Sequence, residues 1–151
     1  MGGVSIGSAA PDFELADQHG TAVRLSSFRG ARNVVLVFYP LAFSAVCGGE
    51  MAALRDSFPG GAGVVLLTVS VDSVHALRAW SDAEGFEFAM LSDFWPHGAV
   101  ASRYGAFDAD RGVATRATFL IDTSGVVRWM VSNPLQRPRN ISDYTQALAA
   151  L

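Results

Sequence analysis

The chain has 151 residues, half of them hydrophobic and 17% charged, with a net charge of −3 and an isoelectric point near 5.5. That apolar content supports a packed core and excludes wholesale disorder, while the lack of a basic stripe argues against nucleic acid as a partner. The longest apolar run, Val34–Tyr39, is far too short to span a bilayer, and Met1–Ala10 lacks the basic and apolar regions of a secretory signal, so a cytoplasmic location is expected.

Phe13-Glu14-Leu15 and Ala22–Leu25 flank the polar turn Asp17–Gly20, which predicts an N-terminal β-hairpin. Asn33–Tyr39 is a continuous β-branched and aromatic run, the pattern of a strand covered on both faces, and Val64–Val71 is a second. Between them Met51, Leu54 and Phe58 recur at helical spacing, predicting an amphipathic helix over Ala45–Phe58. Strand, helix and strand form a right-handed βαβ unit with parallel strands. A second helix runs over Ser73–Glu84, with Ser73 as N-cap and Gly85 at its end. A short strand follows at Phe86–Leu91 and a short helix at His97–Tyr104. Thr118–Asp122 and Val126–Met130 flank Thr123-Ser124-Gly125 as a hairpin. Ile141–Leu151 closes the chain as a helix, with Tyr144, Leu148 and Leu151 on one face. This order predicts an α/β, thioredoxin-like fold with an N-terminal β-hairpin extension and a central mixed sheet flanked by helices, in one domain spanning 1–151.

The single cysteine rules out an intrachain disulfide. Taken alone, a lone cysteine reads as a small buried hydrophobe. Cys47, however, falls where a buried strand gives way to a helix, in the segment Pro40-Leu41-Ala42-Phe43-Ser44-Ala45-Val46-Cys47-Gly48-Gly49-Glu50. Ligands of open α/β sheets sit at such ends. Unpaired N–H groups and the positive end of the helix dipole favour thiolate there. Ser44, three residues earlier, is a natural N-cap, and its hydroxyl also lies close enough in sequence to reach the sulfur. Pro40 ends the strand ladder, and it also has the shape to shield a thiolate from water. Arg116, just before the strand at Thr118, is one surface arginine among eleven or the cation that holds the thiolate. His19, His75 and His97 have no matching ligand set, so no metal site is expected. Phe43, Phe94 and Trp95 read as core, pocket lining or dimer contact.

Together these residues resemble the peroxiredoxin family. Pro40, Ser44 and Cys47 match its P-x-x-x-T/S-x-x-C signature, and Arg116 matches its distant R-x-T-F arginine. Further likenesses are Pro11-Asp12-Phe13, Leu25–Gly30, Leu91-Ser92-Asp93, Tyr104-Gly105 and Arg116–Asp122 continuing to Gly125. The stretches Pro40–Ser44 and Ser92–Val100 resemble the one-cysteine alkyl hydroperoxide reductase E subgroup of actinobacteria, with which a composition of eleven arginines and no lysine agrees. Ser44 departs from the family's usual Thr, keeping the hydroxyl but losing the methyl that restricts its rotamer. Glu50 lies where family members often carry Glu. The resemblance implies that it holds Arg116 or the active-site loop, and the dipole alone also explains an acid there.

The resemblance further implies a peroxidase of hydrogen peroxide, organic hydroperoxides and peroxynitrite. Cys47 would become a sulfenic acid, with Pro40, Ser44 and Arg116 completing the site and no cofactor required. With no second thiol in the chain, resolution is expected from an external low-molecular-weight thiol and a glutaredoxin-like or thioredoxin-like reductant. In an actinobacterium these would be mycothiol and a mycoredoxin. A homodimer built around Phe43 and Trp95 is expected. Two alternatives stay open: a thioredoxin-dependent enzyme of the bacterioferritin-comigratory type, and a non-enzymatic redox sensor. A thioredoxin-like disulfide reductase would require a second thiol near Cys47, and Gly48, Gly49 and Glu50 supply none.

Overall fold

The computed structural model describes residues 4–134 and 139–151. In chain order its elements are β1 (Glu14–Ala16), β2 (Ala22–Arg24), β3 (Asn33–Phe38), α1 (Ala45–Ser57), β4 (Val64–Ser70), α2 (Val74–Glu84), β5 (Ala89–Ser92), α3 (Ala99–Arg103), β6 (Phe107–Asp108), β7 (Val113–Ala114), β8 (Arg116–Ile121), β9 (Val127–Asn133) and α4 (Ile141–Ala149). The central sheet has the order β5-β4-β3-β8-β9, with β3 parallel to β4, β4 parallel to β5, and β8 antiparallel to both its neighbours. It is the mixed, helix-flanked sheet of a thioredoxin-like fold, with the β1–β2 hairpin preceding it.

The unbroken apolar run of β3 has a direct cause. Val34, Leu36 and Phe38 point into one apolar cluster, with Leu67, Tyr104 and Phe119. Val35, Val37 and Tyr39 point into a second, with Cys47, Met51, Leu54, Leu77 and Trp80. Successive strand side chains alternate faces, so a strand with helices on one side and chain on the other needs apolar residues at every position. The end of β3 therefore delivers Tyr39 to the face on which α1 lies, and the chain turns through Pro40–Ser44 directly into that helix.

The structure departs from the sequence reading in several places. The strand expected at Phe86–Leu91 starts only at Ala89, because the Phe86 ring is drawn onto Trp80 (centroids 5.1 Å apart, perpendicular) before pairing with β4 begins at Leu67–Ala89. The helix expected from His97 starts at Ala99, after Gly98 in the left-handed region, and the Asp93 carboxylate accepts from the Val100 and Ala101 N–H groups. The 3₁₀ turn Leu25–Phe28 and the β6–β7 hairpin carry too few periodic residues to be anticipated. Gln18, expected in a polar turn, is buried. Its amide donates to the Phe88 carbonyl at 2.9 Å and accepts from the Met90 N–H at 2.9 Å, fastening the hairpin to β5. No helix among the described residues is long and apolar enough to cross a membrane.

Candidate active site

Cys47 is the third residue of α1 and is fully buried, its side chain in the cluster with Tyr39, Met51 and Trp80. Glu50 follows one turn later on the same helix face and is also buried. Arg116 reaches both from the first position of β8: one guanidinium nitrogen donates to Cys47 Sγ at 3.2 Å and another to Glu50 Oε1. The structure thus brings Cys47, Glu50 and Arg116 into one contact set, although 66 positions separate Glu50 from Arg116.

A fourth member of this set, Arg139, went unrecognised in the sequence. It precedes Asn140, the N-cap of α4. Its backbone N–H donates to Glu50 Oε2 at 2.7 Å and its guanidinium to Glu50 Oε1 at 2.9 Å, to Thr118 Oγ1 at 2.8 Å and to the Phe38 carbonyl. Thr118 Oγ1 in turn lies 3.2 Å from the Tyr144 hydroxyl. Nothing in the local pattern around Arg139 separates it from the other ten arginines, and its role exists only once α4, β8 and α1 are assembled. Burial pushes its pKa down from the ordinary arginine value. The nearby Arg116 charge acts in the same direction, while Tyr144, Glu50 and Cys47 oppose it.

The side chains of Glu50, Arg116 and Arg139 are at most 3% exposed, so two guanidinium groups and one carboxylate meet in the interior, and the positive end of the α1 dipole lies at Cys47.

Ser44 occupies the N-cap position of α1 as expected, yet its hydroxyl makes no cap bond. It donates to the Leu41 carbonyl at 3.0 Å, and the Ser44 carbonyl accepts from the Gly48 N–H. Cap preference describes an isolated helix start; here the tight turn after β3 offers the hydroxyl a nearer acceptor. Pro40 follows β3 after Tyr39 and is half-buried. Phe43, Phe94 and Trp95 are not core: they are 60, 53 and 80% exposed. The His97 ring is bonded to the Gly112 carbonyl, and no group of three or more His, Cys, Asp or Glu placed to hold a metal ion occurs among the described residues.

A model of the AhpC/TSA family matches residues 6–130. The alkyl hydroperoxide reductase E of Mycobacterium tuberculosis is 43% identical over 153 residues, covering 98% of this chain and 98% of that protein. A selenocysteine-containing peroxiredoxin of Peptoclostridium acidaminophilum is 38% identical over 97% of this chain and 77% of its own length. Among solved structures, the reduced 2-Cys peroxiredoxin of Plasmodium vivax superposes with a TM-score of 0.87 at 30% identity, covering 97% of this chain and 81% of that one.

Proposed function

The chain belongs to the AhpC/TSA family of peroxiredoxins, which are thiol peroxidases, and on that premise we propose that Cys47 is its nucleophile toward hydrogen peroxide, organic hydroperoxides and peroxynitrite. The observation that carries this reading is the Arg116 guanidinium 3.2 Å from the sulfur of a cysteine at a helix start. The Cys47 thiolate attacks one peroxide oxygen and the O–O bond breaks. The departing oxygen takes a proton and leaves as water or alcohol; from peroxynitrous acid, nitrite leaves as the anion and needs no proton. Cys47 is oxidised to sulfenic acid as the peroxide is reduced.

Arg116 holds the thiolate and meets the charge that moves onto the leaving oxygen, the kind of preorganised stabilisation that dominates such steps. The Ser44 proton is committed to Leu41, which leaves the hydroxyl oxygen to accept from a peroxide O–H. Pro40 shapes the pocket wall, and Glu50, gripped by Arg139, fixes the direction of the Arg116 fork. Residues 1–151 act as one domain, in the cytoplasm.

Cys47 is the only cysteine, so a second thiol must come from outside the chain. The sulfenic acid condenses with a small thiol, releasing water and leaving a mixed disulfide that a glutaredoxin-like protein reduces. Intact mass spectrometry after one equivalent of peroxide tests this. With a small thiol present, the expected product has the mass of protein plus thiol. Without it, excess peroxide carries Cys47 on to sulfinic acid. A covalent dimer through Cys47, formed in high yield and required for turnover, overturns external resolution. Turnover that thioredoxin alone sustains, with no thiol adduct, assigns the chain to the thioredoxin-dependent type. A single oxidation with no further cycles under any thiol assigns it to sensing.

The exposed aromatics Phe43, Phe94 and Trp95 lie on loops at the carboxyl ends of the parallel strands, and exposed apolar clusters mark interaction surfaces. We propose that they form a homodimer contact. Sedimentation at micromolar concentration is expected to give a dimer, and Trp95→Ala to raise its dissociation constant by more than about tenfold, as for a central aromatic anchor. A fully active monomer contradicts this.

A further inference from the structure

Three loops leave the carboxyl ends of β3, β4 and β5 side by side, and hydrogen bonds join them. The Ser92 hydroxyl donates to the Asp72 carbonyl at 2.6 Å, and the Asp93 N–H donates to the Ser70 carbonyl at 2.8 Å. Asp72 Oδ2 accepts from the Ala42 N–H at 2.8 Å and from the Ser70 hydroxyl at 2.7 Å. The loop after β4 thereby grips the loop that enters α1, five residues before Cys47.

The gripped segment is strained. Phe43, the next residue, has φ 66°, the only left-handed backbone at a non-glycine position among the described residues. A bulky side chain adopts that region only where its surroundings hold it. Two holders are visible. The Phe43 ring lies against Trp80 of α2 (centroids 5.7 Å apart), and the Asp72 carboxylate fixes the peptide N–H immediately before it. A carboxylate accepting from a backbone N–H is a strong, charge-assisted contact, and the Ser70 hydroxyl steadies it.

We propose that Asp72 is a positioning residue for peroxide reduction. Its carboxylate holds the Pro40–Ser44 segment in the strained conformation that aims Ser44 at the bound peroxide. This deepens the peroxidase reading and rests on it. Without the acceptor, Phe43 relaxes toward ordinary negative φ, and the Ser44 hydroxyl shifts while Cys47 stays in place on α1. The thiolate itself is held from the other side, by Arg116 on β8, and does not depend on this loop. Loss of Asp72 therefore slows reaction with peroxide while leaving the thiolate population intact.

Stopped-flow oxidation of the full chain tests this beside alkylation of Cys47 by iodoacetamide at neutral pH. Asp72→Ala is expected to lower the oxidation rate constant by about tenfold or more, the scale on which small misplacements act. Asp72→Asn keeps an acceptor oxygen for Ala42 and is expected to restore most of the rate. Ser70→Ala, a milder change to the same contact, is expected to lose about threefold. Alkylation rates stay at the wild-type value in all three. A wild-type oxidation rate in Asp72→Ala, or in Ser70→Ala should Asp72→Ala not fold, overturns the proposal alone. So does Asp72→Asn as slow as Asp72→Ala, or alkylation that slows in step with oxidation. Wild-type protein that consumes no peroxide overturns the peroxidase reading and the proposal with it.

Discussion

Replacing Cys47 with Ser reduces peroxide turnover to the uncatalysed background while the fold persists. The thiolate is the nucleophile, the chain contains no other cysteine, and a serine hydroxyl in the same place is neither ionised nor polarizable enough to break an O–O bond. The structural cost is small. Cys47 is fully buried among apolar side chains, where a hydroxyl without a partner costs about 1–3 kcal/mol. The Arg116 nitrogen that touches Sγ supplies a donor for it and brings the cost toward the lower end. Circular dichroism and stopped-flow consumption on the same sample separate the two effects, and turnover retained by Cys47→Ser contradicts the assignment of the nucleophile.

The second large effect is at Arg116. Arg116→Ala removes the cation from the sulfur and one of two arginines from Glu50. The oxidation rate is expected to fall by about 10²–10³, as when one preorganised donor to a developing anion is lost. Alkylation of Cys47 at neutral pH also slows, because the thiolate loses its nearest positive charge. Breaking a buried ion pair costs about 3–5 kcal/mol. Here Arg139 still pairs with Glu50, so the loss in a urea titration lies near the lower figure. Arg116→Lys keeps the charge but has one nitrogen where the native fork uses two. It regains alkylation rate before it regains oxidation rate. Unchanged oxidation in Arg116→Ala contradicts any role at the reacting sulfur.

How much of this was legible before folding depends on whether a residue's surroundings are local. The buried strand at Asn33–Tyr39 and the helix after it declare themselves because their neighbours along the chain fix their pattern. Glu50 lies one helical turn from Cys47, so spacing alone puts the two on one face. Arg116 was reached through a motif match, since its partners are 66 and 69 residues away. Arg139 had no motif and stayed hidden: its partners Glu50, Thr118 and Phe38 come from α1, β8 and β3. Ser44 shows the opposite failure. Its position was right, but its bond went to Leu41 because the turn geometry, invisible in the sequence, presents that carbonyl to it.

The amide of Gln18 has a consequence for how copies of this protein avoid one another. β5 ends the central sheet, and a terminal strand with idle N–H and C=O groups is a template onto which foreign chains aggregate. Gln18 answers the Met90 N–H and the Phe88 carbonyl as a neighbouring strand would, but as a single side chain it offers no further ladder to extend. The N-terminal hairpin therefore works as a stopper, ending strand addition on that flank of the sheet.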